Sequence, residues 1–274
     1  MSGVSSVGPG RSAGPELIQD AADPRLADFR DLMRADGLPE RRGVVIAEGV
    51  NVVQRLARSR YRVRAVVGVA AKLAVLAPLL EQLPAPVYQV DKWTLSDVVG
   101  FRVTRGVLAA GDRPEPVAAE SLIAAGRRFV VLESINDFEN LGAIFRNCAA
   151  FGVEAVLLHP RCADPLYRRS VRVSMGHVFG VGFAVLPEPW PRSLDLLRSS
   201  GVRLLAMTPR PAAVPLATVR PAPGWALLLG AEGPGLSEAA LACADEWVRI
   251  PMADGVDSLN VATAGAVALA HLCG

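Results

Sequence analysis

The stretch INDFENLGAIFRNCAAFGVEAVLLHP, Ile135 to Pro160, decides how the chain is read. Leu141, Ile144, Phe145 and Cys148 recur at i, i+3, i+4 and i+7, the apolar stripe of an amphipathic helix. Asn140, with an acid just before it, suits the N-cap, and Gly152 closes the helix. VEAVLLH then reads as a buried strand, and RFVVLES, upstream, as another. The unit is strand–loop–helix–strand, and its loop carries Asn136, Asp137, Glu139 and Asn140. At about 100° per residue, Arg146 points away from the stripe, which by itself suits a solvated side chain.

Working outward, the same pattern continues to the C-terminus. GFAVLP, VRLLAMT, WALLLG and EWVRIP are further candidate strands, with helices between most of them. Apolar strands alternating with helices predict an α/β fold with a mostly parallel sheet covered on both faces. Ligands in such sheets bind outside the carboxyl ends of the strands. Upstream, RRGVVIAEGVNVVQRLARSRYRVRAVVGVAA begins a smaller α/β unit. The division is 1–14, a disordered N-terminus; 15–106, the small domain; 107–126, a linker where Gly, Pro and Ala cluster; and 127–274, the larger domain.

With 274 residues, 51% of them hydrophobic, the chain has material for one large core or two modest ones. A net charge of +2 announces no polyanion partner, although the basic excess lies in the first 127 residues. Cys148, Cys162, Cys243 and Cys273 are too widely spaced for a zinc knuckle, and three histidines do not supply a metal site. They read as reduced thiols of a cytoplasmic protein. The apolar run Val261 to Leu272 is too short to span a bilayer, which needs about 20 residues.

Three loops carry candidate chemistry. The first holds Asn140 and leads to Arg146. The second, in WALLLGAEGPGLSEAALACAD, places Gly230, Gly233 and Gly235 around Glu232, with Ser237 beginning a helix. Its glycine spacing is neither a dinucleotide fingerprint nor a P-loop. A carboxylate there would repel a pyrophosphate. It suits a cationic ligand, ribose hydroxyls or an arginine partner such as Arg146. The third, in VRIPMADGVDSLNVATAGAVALAHLCG, runs through Asp254 and Asp257 to Ser258, which opens the last helix, with Asn260 in its first turn.

In that order, ENLGAIFRNCAAFGV, LLLGAEGPGLS and IPMADGVDSLNVATAGAVAL resemble the three motifs of the SpoU (TrmH-like) branch of the SPOUT RNA methyltransferases. The N-terminal unit, with VIAEGVNVVQRL, resembles the ribosomal-protein-like RNA-binding domain often fused ahead of such catalytic domains. The resemblance implies transfer of a methyl group from S-adenosylmethionine to a ribose 2′-hydroxyl, and a sheet that ends in a deep trefoil knot. Ribosomal RNA is the implied target, with a transfer RNA methyltransferase or an inactive RNA-binding relative as alternatives.

By the same resemblance, Arg146, Asn140, Glu232, Ser258 and Asn260 form the catalytic set. Gly230, Glu232, Gly233, Gly235, Ile250, Met252, Ser258 and Leu259 hold the cofactor. Arg172 and Ser174, in RRSVRVSMGHVFGV, lie near the substrate phosphate. Ala262 departs from the serine that many relatives carry there. The run Arg55, Arg58, Arg60, Arg62 and Arg64 is the RNA-contact candidate of the small domain, or else a helix end followed by an exposed strand face. The family also implies a homodimer through the catalytic domain. The stripe Val261, Ala264, Gly265, Ala268 and Leu272 is a candidate surface for it, unless it packs inside its own subunit.

Overall fold

The computed structural model describes residues 14–33, 42–220 and 222–274. Apart from Gly14, the N-terminal stretch read as disordered lies outside them. The chain divides into two compact units, one ending at Arg113 and one beginning at Pro114.

The first unit is built on β1 (Glu16–Leu17), β2 (Val44–Glu48), β3 (Val63–Gly68), β4 (Val87–Gln89) and β5 (Val107–Asp112), in the order β1-β4-β3-β5-β2. Helices α1 (Val50–Ala57), α2 (Ala70–Leu80) and α3 (Lys92–Val99) connect them. Leu26, Phe29, Ile46, Val67, Leu95 and Leu108 are among its buried core residues. Each such side chain contributes about 1.5–3 kcal/mol when fully buried.

The linker reading of 107–126 is corrected at both ends. Val107–Asp112 is an interior strand, antiparallel to both β2 and β3. Its small residues permit close packing: a Cβ on Gly111 would lie 3.2 Å from the Arg62 carbonyl and 3.3 Å from Leu56. Ala119–Ala125 forms α4, whose Ala119 and Ile123 join the core of the second unit. Within 107–126, 113–118 and Gly126 lie outside secondary structure.

The second unit has β6 (Arg128–Glu133), α5 (Phe138–Ala150), β7 (Ala155–Leu158), α6 (Arg168–Val173), β8 (Gly182–Val185), α7 (Asp195–Ser199), β9 (Arg203–Met207) and β10 (Val214–Pro215). It continues with β11 (Trp225–Gly230), α8 (Glu238–Cys243), β12 (Glu246–Arg249) and α9 (Val261–Cys273). The strand order is β10-β12-β9-β11-β6-β7-β8, and every pairing is parallel. The loops after β6, β9, β11 and β12 therefore gather at one edge of the sheet.

Two helix starts differ from their sequence reading. Asp137, not Asn140, caps α5: its Oδ1 accepts the backbone N–H groups of Glu139 and Asn140. The nearer carboxylate takes the first-turn donors, and Asn140 is left buried one turn in. Likewise Asn260, not Ser258, caps α9, and Ser258 stays in the preceding loop. Of the two readings of the α9 stripe, dimer surface or internal packing, the structure bears out the second. Val261, Gly265, Ala268 and Leu272 are buried, and a Cβ on Gly265 would sit 3.1 Å from Leu229.

Candidate active site

The glycine loop owes its shape to close backbone approach. A Cβ on Gly230 would lie 2.2 Å from the carbonyl carbon of Gly235, so only glycine lets the chain fold back there. The return is completed by a bridge between Ala231 and Gly235. Gly233 and Gly235 have φ of +86° and +69°, the left-handed region that side chains disfavour. Three glycines thus serve one tight loop.

One side chain joins this loop to the other two. Asn260 Nδ2 donates to Asn140 Oδ1 at 2.7 Å and to Glu232 Oε1 at 2.8 Å. Its Oδ1 accepts the N–H groups of Ala262 and Thr263 at 3.0 and 3.1 Å. Two acceptors on one side and two donors on the other fix the amide orientation. Glu232 therefore takes Asn260 as its partner, and among the described residues no Glu232–Arg146 pair forms. The α9 cap places Asn260 between the other two loops. A second tie runs beneath it: Asn147 Nδ2 donates to the Ala262 carbonyl at 2.9 Å.

Beside these loops lies a cavity of about 500 Å³. It is lined by all eight residues expected to hold a cofactor: Gly230, Glu232, Gly233, Gly235, Ile250, Met252, Ser258 and Leu259. Met207, Thr208, Pro209 and Leu229 also line it, and sequence reasoning missed them. The signal available was a polar Thr-Pro step ending an apolar strand. The missed support for the glycine loop is Glu133, at the end of β6 and only 7% exposed. Its two oxygens accept the Trp190 indole N–H at 2.6 Å and the Ser237 backbone N–H at 2.8 Å. A buried carboxylate is tolerable with both oxygens bonded, and here it ties down the residue that caps α8.

Arg146 is exposed on α5, and among the described residues it makes no hydrogen bond or ion pair. Arg172, in the last turn of α6, is half-buried. Ser174 does not fit an RNA contact: it is fully buried, and its hydroxyl donates to the Val171 carbonyl at 3.0 Å. The reason is the packing of α5 on α6, where a Cβ on Gly142 would meet the Ser170 carbonyl at 2.7 Å.

In the first unit Arg58, Arg60 and Arg62 are exposed and Arg55 is half-buried. Arg64 departs from the reading. It bonds Asp112 at 2.5 Å and the Gly43 carbonyl at 3.1 Å, with Asp28 at 3.4 Å, and so holds the sheet edge. The Asp112 hydrogen bond, opposed by desolvation, is the main reason its pKa is raised. The cysteines are free thiols; burial pushes the Cys148 thiol up, and that of Cys162 up to about 11. No helix among the described residues is long and apolar enough to cross a membrane.

The family model of the SpoU rRNA methylases matches residues 127–270, more than half of the chain and all three loops. The chain belongs to the SpoU rRNA methylase family. Members of the SpoU family are RNA methyltransferases, and the relatives agree. An uncharacterised tRNA/rRNA methyltransferase of Mycobacterium tuberculosis is 51% identical over 258 residues, covering 92% of this chain and 89% of that protein. A 23S rRNA (guanosine(2553)-2′-O)-methyltransferase of Bacillus subtilis is 29% identical over 168 residues, 60% of this chain and 66% of that protein. The fold is shared with an AdoMet-bound rRNA methyltransferase from Sinorhizobium meliloti, at a TM-score of 0.77 and 23% identity over 94% of this chain and 97% of that one.

Proposed function

We propose that this chain methylates a ribose 2′-hydroxyl of RNA with S-adenosylmethionine as donor, and that ribosomal RNA is its target. The observation that carries the reading is the Asn140–Asn260–Glu232 junction, which draws all three loops to one cavity. The cavity suits the cofactor. About 500 Å³ is within the usual range for a small ligand, and Met207, Leu229, Ile250 and Leu259 offer apolar wall. Glu232 supplies negative charge at its lip, as a sulfonium or ammonium group requires. The knotted arrangement is proposed from the family resemblance.

When bound, the cofactor supplies an electrophilic methyl group on a positively charged sulfur. The chain's own residues do the rest. Asn260 and Glu232 hold the loops in register. Asn140, with its oxygen taken, presents its amide N–H groups as donors. Arg146 clamps the adjacent phosphate and stabilises charge developing on the ribose oxygen. Arg172 adds positive charge on the neighbouring helix, and Arg58, Arg60 and Arg62 position RNA by phosphate contacts.

We further propose a homodimer through the catalytic unit. With the inner stripe of α9 buried, its outer face remains, where Val267 is 42% exposed. Val256 and Leu259 before it are 49% and 39% exposed. Incubation of the full chain with labelled S-adenosylmethionine and either ribosomal or transfer RNA tests the reading. Label in ribosomal RNA is the expected result. Label in transfer RNA alone would move the target, and label in neither would point to an inactive RNA-binding relative.

A further inference from the structure

Of the four tryptophans in the chain, three serve the fold. Trp225 is 1% exposed, and the indole N–H groups of Trp190 and Trp247 donate to Glu133 and to the Leu241 carbonyl. Trp93 is the exception. It stands in the first turn of α3, 83% exposed, and among the described residues neither its ring nor its indole N–H has a partner. An indole in this position forgoes the large apolar burial that makes the residue valuable to a core. The helix start does not need it either. Asp91 caps α3 by accepting the backbone N–H groups of Trp93 and Thr94 at 2.7 and 2.9 Å, bonds that any side chain at 93 would leave in place.

The surroundings of Trp93 indicate what would cover it. The ends of β3 and β4 and the start of β5 lie in one row, where Gly68 pairs with both Gln89 and Val107. Lys92 and Trp93 follow β4, Lys72 follows β3, and Arg102 and Arg105 precede β5. The Val103 backbone N–H donates to Ser96 Oγ at 3.1 Å and so ties the loop of both arginines to α3. Lys72 lies against the same loop, since a Cβ on Gly106 would sit 3.1 Å from its Cγ. All four cations are exposed, and among the described residues none forms an ion pair. The acids of α3 are Asp91, engaged in the cap, and Asp97. An open aromatic face beside four open cations fits a polyanion that offers flat faces of its own, a nucleic-acid strand with unstacked bases. A protein partner would have to bury those charges around the ring, against the usual composition of an interface core. The run Arg58, Arg60 and Arg62 lies at the other end of β3, about 20 Å away. There Arg62 reaches Asp112 at 3.7 Å and Arg60 lies over the Tyr61 ring at 5.8 Å.

We propose that Trp93 is a stacking platform for an unpaired base of the RNA substrate, with Lys72, Lys92, Arg102 and Arg105 contacting the phosphates beside it. The inference rests on the RNA methyltransferase reading given above. It adds a second contact at the opposite edge from the arginine run, and it narrows the substrate to RNA with unstacked nucleotides. Every base has a π-face, so Trp93 selects unpaired over paired RNA and does not choose among bases.

The test uses the full chain, a short oligoadenylate and an RNA duplex of equal length, with binding read by fluorescence anisotropy. Trp93→Ala should weaken oligoadenylate binding about tenfold and leave duplex binding within about twofold of the wild type. Trp93→Phe should recover most of the loss. Lys92→Ala should reduce the salt slope for the single strand by about 0.7, whereas Trp93→Ala leaves that slope unchanged. A wild-type chain that does not bind oligoadenylate would overturn the inference, as would unchanged affinity in Trp93→Ala or an equal loss for strand and duplex. A lowered melting temperature in Trp93→Ala would overturn it by showing that the ring serves the fold. Lost self-association in sedimentation would overturn it by assigning the ring to a protein interface. Methyl transfer to ribosomal RNA is scored separately. Transfer by the wild type with no effect of Trp93→Ala on binding rejects the platform and keeps the methyltransferase reading. Selective loss of oligoadenylate binding in a chain that methylates no RNA keeps the platform and rejects that reading.

Discussion

Two residues of α5 are treated in opposite ways. Asn140 is buried, and its side-chain oxygen accepts from Asn260. Arg146, further along the helix, is exposed and has no partner among the described residues. The contrast extends to their neighbourhoods. Around Asn140, Asn260 and Glu133, polar groups are bonded within the chain and the loops are held before any ligand arrives. Around Arg146, a cation is left open. On the function proposed above, the difference separates a preorganised cofactor side from a substrate side that RNA would complete.

Substituting Arg146 tests that division most severely. Arg146→Ala should lower single-turnover methyl transfer by about 10²–10³-fold, with S-adenosylhomocysteine affinity within about twofold of the wild type. Lost cofactor affinity in a folded variant would erase the distinction between the two sides. Asn260→Ala should do the reverse. It removes a helix cap and both inter-loop bonds, so denaturation should show a loss of about 1–2 kcal/mol, accompanied by weaker cofactor binding. Intact binding would mean that the loops hold without it.

Glu133 sharpens the point. Glu133→Gln turns an amide NH2 toward one of two N–H donors, at a cost of about 1–3 kcal/mol in urea unfolding. In a Trp190→Phe background the indole donor is absent, so the same change should cost less. Additive costs would show that the two groups are uncoupled. The smallest expected effects lie in the first unit. Arg64→Ala should cost up to about 1 kcal/mol, since its ion pairs are partly exposed. Arg60→Ala should leave stability within about 0.5 kcal/mol and weaken RNA binding, with a shallower salt dependence.

Much of this architecture was legible in residue order. Six of the seven strands of the second unit, most of them apolar runs, and their parallel pairing followed from pattern, whereas the short β10, Val214–Pro215, did not. β5 was not legible, because VLAAGD has the small residues of a linker and owes its place to close packing against Leu56. Helix starts shifted by a few residues because Asp, Asn and Ser are all good caps, and geometry chooses among them. The α9 stripe shows that helical spacing identifies a face without saying what covers it. For the site, motif residues were readable, but their pairing was not. Asn260 meets Glu232 and Asn140 from 28 and 120 positions away. Glu133 and Thr208 were missed since each is an ordinary polar residue at a strand end. Only burial and partners distinguish them.

The position of the transferred methyl group tests the central claim most directly. A 2′-O-methyl group removes the internal nucleophile through which alkali cleaves the adjacent phosphodiester. RNA labelled by the full chain from methyl-labelled S-adenosylmethionine should therefore yield, after alkaline hydrolysis, label in alkali-resistant dinucleotides. Label recovered in mononucleotides would place the methyl group on a base and contradict the account.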